Sequence, residues 1–147
     1  MSILTGAIIG AIVGLIVAVM TAVGKEARFK SILKTITVPY DYAALYHYAS
    51  FTRYKKSFKF FDSYGVLYLV GNILHYKTKP NEEAITFDLA ECSVQMEPDW
   101  RWLKWFSITR PSGEKFYFDS HKMGFLQNNS EETLKGYKVI KLKTIAP

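Results

Sequence analysis

The sequence predicts a mainly β domain carried on an N-terminal transmembrane helix, and three observations lead there. The first 24 residues hold no charged side chain, aromatic residues make up 16% of the chain, and short runs of alternating apolar residues recur from residue 66 onward. With 147 residues there is room for one domain and an appendage, because a typical domain takes roughly 100 to 150 residues. The chain therefore divides into a transmembrane helix over residues 1–24, a juxtamembrane helical linker over 25–49 and a β domain over 50–147.

The span comes first. Residues 3–23 are almost wholly apolar, and as a helix they would extend about 31 Å, the thickness of a hydrocarbon core. A helix buried in a small soluble domain would show a polar face, and this segment has none. A cleaved signal peptide is the rival reading, but it would open on a basic stretch, where this chain has only Met1 and Ser2. Lys25, Arg28, Lys30 and Lys34 follow the span directly, which places the N-terminus outside and residues 25–147 in the cytoplasm. Within the span Gly6, Gly10 and Gly14 recur every four residues and Ala18 and Ala22 continue the row. Such a face lets a second helix approach closely, so it reads as a self-association or partner-helix surface, with a plain anchor as the alternative.

Residues 25–37 read as a continuation of the helix, interrupted at Pro39, which lacks an N–H and restricts its predecessor. A second short helix is expected over residues 41–49, capped by Asp41, with Ala44, Leu45 and Tyr48 on one face. A Lys-rich strand is expected over 52–61. Gly71-Asn72 then marks a tight hairpin turn; it pairs Leu69 with Leu74, Leu67 with Tyr76 and Tyr68 with His75. Ile85, Phe87 and Leu89 alternate, residues 103–109 are rich in β-formers, and Phe116 and Phe118 alternate after the turn at Pro111-Ser112-Gly113. Ser130 with Glu131 and Glu132 suits a helix start, whereas Gly136 and the run 139–142 weaken a helix there.

The Lys-rich strand, the stretch Tyr64, Gly65, Val66, Leu67, Tyr68, Leu69 entering its hairpin, then Phe87-Asp88-Leu89, then 102–108 and 113–118, resemble a pleckstrin-homology or GRAM-type domain over about residues 50–145. The membrane-anchored bacterial members are the most similar. The resemblance implies a two-sheet β barrel or sandwich closed by a C-terminal helix near residues 130–142, and a bacterial inner-membrane location. In family members that bind phosphoinositides, cations on the first two strands and their loop receive the phosphates. Here Arg53, Lys55, Lys56 and Lys59 match the first of these, with Lys77 and Lys79 nearby, but residues 65–70 carry no Arg or Lys.

Charge and motif content narrow the function. The net charge of +6 is divided into basic blocks at 25–34 and 53–59 and an acidic stretch at 82–99, which is not the unbroken basic face of a nucleic-acid binder. His47, His75, His121 and the single Cys92 lie far apart without metal-ligand spacing, so neither a metal nor a cofactor is indicated. No phosphate loop, nucleophile elbow or zinc-protease motif is present, and the expected function is non-enzymatic. The basic residues read either as anionic-lipid contacts or as a solvated edge. Trp100, Trp102 and Trp105 are the densest aromatic cluster. On one strand Trp100 and Trp102 share a face opposite Leu103 and Trp105, so one pair is core and Trp100 with Trp102 forms the candidate partner or interface anchor. Together these residues suggest a membrane-anchored interaction module that contacts lipid, a partner protein or both. The alternative is a structural subunit assembled into a larger membrane complex through the glycine row.

Overall fold

A computed structural model of the chain describes residues 3–55, 61–100, 102–120 and 129–145. One helix, α1 (Ile3–Leu33), opens the chain. Seven strands follow: β1 (Tyr42–Ser50), β2 (Ser63–Val70), β3 (Ile73–Lys77), β4 (Ile85–Asp88), β5 (Ser93–Trp100), β6 (Leu103–Thr109) and β7 (Lys115–Ser120). A second helix, α2 (Asn129–Ile145), closes the described chain. The domain is mainly β, as its aromatic content predicts.

The strands form one antiparallel sheet in the order β4-β3-β2-β1-β7-β6-β5. β1 is the pivot: Tyr42 through Tyr48 pair with β2, while Tyr46 through Ser50 also pair with β7. In a flat sheet β4 and β7 would lie four strand spacings apart, about 19 Å. Instead the ring of Phe87 on β4 is 4.9 Å from Phe116 on β7, and Tyr76 on β3 meets Phe118 at 5.4 Å. The sheet is therefore curled until its halves face each other around one core of Tyr46, Leu67, Leu69, Leu74, Phe87, Phe106, Ile108 and Phe118. The resemblance implied two packed sheets; the structure has one continuous open sheet.

The β2–β3 hairpin has the predicted register, Leu69 with Leu74, Leu67 with Tyr76 and Tyr68 with His75. Gly71 occupies the left-handed region at φ 59°, as the first position of a tight hairpin turn requires. Gly65 is needed for another reason: a Cβ there would fall 2.4 Å from the Lys77 carbonyl oxygen of β3.

Three local expectations are corrected. Residues 41–49 are not a helix; they are mostly β1. Tyr42, Ala44, Tyr46 and Tyr48 point to the core in period two, and the alanines between aromatics gave a false helical signal. The expected strand over 52–61 is replaced by turns over 51–55, with residues 56–60 outside the described set. β5 was not expected at all, because Glu97, Pro98 and Asp99 make it polar. It is an edge strand with an irregular register between Glu97 and Trp100, where such residues are tolerated.

α2 begins at Asn129, one residue before the expected cap, and packs on β5, β6 and β7. Gly136 does not break it. The Tyr42 hydroxyl donates to the Glu132 carboxylate at 2.7 Å, the Tyr46 hydroxyl donates to the Glu132 carbonyl at 3.0 Å, and the two hydroxyl oxygens lie 2.8 Å apart. These hydroxyls occupy the space a Cβ on residue 136 would need.

Candidate functional site

α1 is long and apolar enough to cross a membrane, and none of its most apolar stretch is buried against the domain. The helix continues unbroken through Lys25, Glu26 and Arg28 and then docks. Ile32 is wholly buried in a cluster with Val66 and Tyr68 of β2, flanked by Phe29, Leu33 and Ile36. Arg28 donates from Nε and Nη2 to the Thr78 carbonyl at 3.0 and 2.7 Å, and its guanidinium lies 4.3 Å from the Tyr64 ring centre. Arg28 therefore sits at the start of β2 and the end of β3, and the helix advances from there toward Val70. Sequence reasoning saw Arg28 only as an anchoring cation. A side chain that satisfies a carbonyl fifty residues away leaves no local pattern.

This docking decides which edge of the domain lies nearest the apolar segment. Arg28 is five residues beyond Val23, about 8 Å along the helix. The rim it touches carries the β1–β2 loop and the β3–β4 connection, because β1 ends, β2 begins and β3 ends there. Arg53, Lys55, Lys77 and Lys79 are thus brought to one rim. Lys56 and Lys59 lie outside the described residues. Arg53 holds Asp62 at 3.3 Å and Lys79 pairs with Glu82. Lys55 occupies the left-handed region at φ 61°, and Phe51 on the same loop is exposed. Exposed ion pairs contribute roughly 0 to 1 kcal/mol, so neither pairing withdraws its cation from a competing anion.

Behind the loop stands a buried pair. His47 Nδ1 on β1 is 3.2 Å from Asp119 Oδ1 on β7, both side chains almost fully shielded, and Phe61 stacks on the imidazole at 4.3 Å. Burial, with Lys25 nearby, holds the imidazole at about 3, so it is neutral and donates to the Asp119 carboxylate. A second polar knot lies on the outer face of the other half-sheet. Burial there opposes the charge on Glu97, but bonds from Lys115 (2.6 Å), Ser107 (2.6 Å) and Gln95 (3.0 Å) hold its carboxyl below the ordinary range. Among the described residues no three His, Cys, Asp or Glu side chains cluster as metal ligands.

The tryptophans separate differently from the sequence expectation. Trp100 pairs with Leu103 across the reversal and turns inward with Trp105, Leu103 and Tyr54, while Trp102 is exposed, at 93%. The pairing of Trp100 and Trp102 on one face assumed a continuous strand; the turn removes it. On α1, Gly6, Gly10 and Gly14 face open space, and Ala18 and Ala22 are exposed beside them. No protein-family model matches this chain, and no curated protein matches its sequence.

Proposed function

We propose that this protein is a non-enzymatic, single-pass membrane-anchored interaction module whose β domain is held against the bilayer and contacts anionic lipid through the rim beside α1. The observation that carries the reading is the docking of α1: one unbroken helix joins the apolar segment to the rim bearing Arg53, Lys55, Lys77 and Lys79. The cations after the span favour a cytoplasmic domain. The pleckstrin-homology or GRAM reading draws support from seven antiparallel strands curled around one core with a C-terminal helix packed on the last three. β2 carries no Arg or Lys, which argues for broad charge attraction over a specific inositide pocket.

A tether raises the local concentration of head groups to roughly millimolar, so weak contacts suffice. Each cation near an anionic surface contributes roughly 1 kcal/mol. Residues 25–147 should therefore bind vesicles containing phosphatidylserine at low salt, release them as salt rises, and show little preference among acidic head groups. Changing Lys55, Lys56 and Lys59 to Glu should weaken vesicle binding at least about a hundredfold without unfolding the domain. Equal binding by the charge-reversed protein in a co-sedimentation assay would refute the lipid reading.

A further inference from the structure

We infer that Phe51, on the turn that follows β1, is a side chain the domain presses into the bilayer at the boundary of head groups and chains beside α1. This rests on the membrane-apposed reading above and adds to its charge contacts an apolar one that salt does not weaken.

The first observation is height along the helix. Followed toward its N-terminus, α1 meets β2 through Ile32, against Val66 and Tyr68, and then through Arg28, over Tyr64 and on the Thr78 carbonyl. The helix thus leaves the domain in the direction in which β2 begins and its antiparallel neighbour β1 ends. Tyr64 is paired with His47, and the three steps from His47 to Ser50 advance roughly 10 Å, as far as six or seven helical residues. Counted back from Arg28, and with the rise shortened by up to about a third for inclination of the strand, Ser50 comes level with residues 21–24 of α1. Phe51 therefore begins its turn at the height where the apolar segment ends. The β2–β3 turn at Gly71-Asn72 lies at the opposite end of the same strands.

The second observation is how the turn is built. The Ser50 carbonyl accepts from the N–H groups of Arg53 and Tyr54 at 3.0 and 2.9 Å, the Ser50 N–H donates to the Asp62 carboxylate at 2.7 Å, and the Asp62 N–H donates to the Tyr48 carbonyl at 2.8 Å. Tyr54, from the same turn, is buried, flat on Tyr117 at 4.0 Å with Trp105 at 5.2 Å. One short turn therefore buries one aromatic ring and holds another, Phe51, outward with 62% of its surface exposed. A segment already fixed in one shape loses little freedom when its crest is covered. Arg53 and Lys55 follow two and four residues behind the ring. A phenyl ring directed at the chains, with cations behind it at the level of the phosphates, suits the bilayer boundary. A lipid surface is the occupant, because α1 brings one to this rim.

The test uses the full chain in vesicles of phosphatidylcholine and phosphatidylserine, in a Cys92→Ser background. A polarity-sensitive fluorophore is attached at Thr52→Cys, beside Phe51, or at Asn72→Cys in the opposite turn. The label at 52 should shift to the blue, be quenched by lipids carrying shallow nitroxides, and stay so at about 1 M salt, where the Debye length is roughly 3 Å; the label at 72 reports water. Phe51→Ser should lower the ratio of shielded to exposed label at high salt about tenfold to a hundredfold, as expected for uncovering one phenylalanine, and leave the midpoint of thermal unfolding unchanged. Shielding at 52 that salt abolishes equally with and without Phe51 would overturn the role of the ring and leave the charge-held lipid contact standing. A label at 52 in water at every salt concentration would overturn both. Shielding that appears only when another protein is added, or a lowered midpoint for Phe51→Ser, would show that the ring serves a protein partner or the fold instead.

Discussion

At the scale of single residues, the His47–Asp119 pair makes stability depend on pH. Asp119 from β7 and Lys25 from α1 act on the imidazole with opposite signs, but burial and Lys25 win, and the folded value lies at about 3 against 6.5 when unfolded. Between those limits the unfolded chain binds a proton that the native domain does not. Stability is therefore retained above about 6.5 and falls as the pH drops toward 3, by up to roughly 1 kcal/mol per pH unit. Urea unfolding of residues 25–147 at pH 7, 6 and 5 should show this slope, and His47→Asn, which keeps a donor and cannot titrate, should flatten it. Identical slopes for the two proteins would mean that the pair does not set the acid limit. Neither His47 nor Asp119 could be paired from sequence: they are seventy-two residues apart and meet only because β1 and β7 are neighbours. Local signals fared better. Gly71-Asn72 announced both the hairpin and its register, because turn geometry and side-chain alternation are short-range properties.

At the scale of elements, the instructive case is α2. A glycine in a helix interior ordinarily weakens it by about 1 kcal/mol relative to alanine, and that rule made Gly136 an argument against this helix. The structure explains the residue from outside the helix, through the Tyr46 hydroxyl, which would stand 2.0 Å from an added Cβ. Gly136→Ala should then lower stability by about 1 to 3 kcal/mol, the cost of overpacking a tight contact, where an unpacked helix would gain. A higher urea midpoint for the alanine variant would show that the tyrosines yield easily. The misreading of β1 has a related origin. Ala43, Ala44 and Ala49 are good helix formers, yet this is the central strand, where pairing on both sides and four inward aromatic or small side chains override propensity.

For the whole molecule, a curled sheet that is not closed leaves two edges, and each is protected by a basic side chain from elsewhere. Arg110 donates to the Thr86 carbonyl of β4 at 3.0 Å, and Lys141 of α2 donates to the Val94 carbonyl of β5 at 2.8 Å. Carbonyls capped in this way are poor templates for another strand. The folding unit also begins earlier than the sequence indicated. Ile32 is fully buried and covers Val66 and Tyr68, so a fragment of residues 38–147 exposes an apolar patch that 25–147 keeps covered. With about 1.5 to 3 kcal/mol for each large apolar side chain removed from burial, the shorter fragment should be less stable by roughly 3 to 6 kcal/mol in urea unfolding. Equal stabilities would mean that the docked end of α1 is only a tether.

The unbroken course of α1 has one more consequence, in its phase. Gly10 and Arg28 are eighteen residues apart, as are Gly14 and Ile32, and eighteen residues make five full turns of an α-helix. The glycines of the apolar segment and the side chains that grip the sheet therefore share one azimuth. A companion helix laid along Gly10 and Gly14 would stand directly over the domain, on the same side of the rod, so the sheet itself limits how much protein such a companion can carry beneath it.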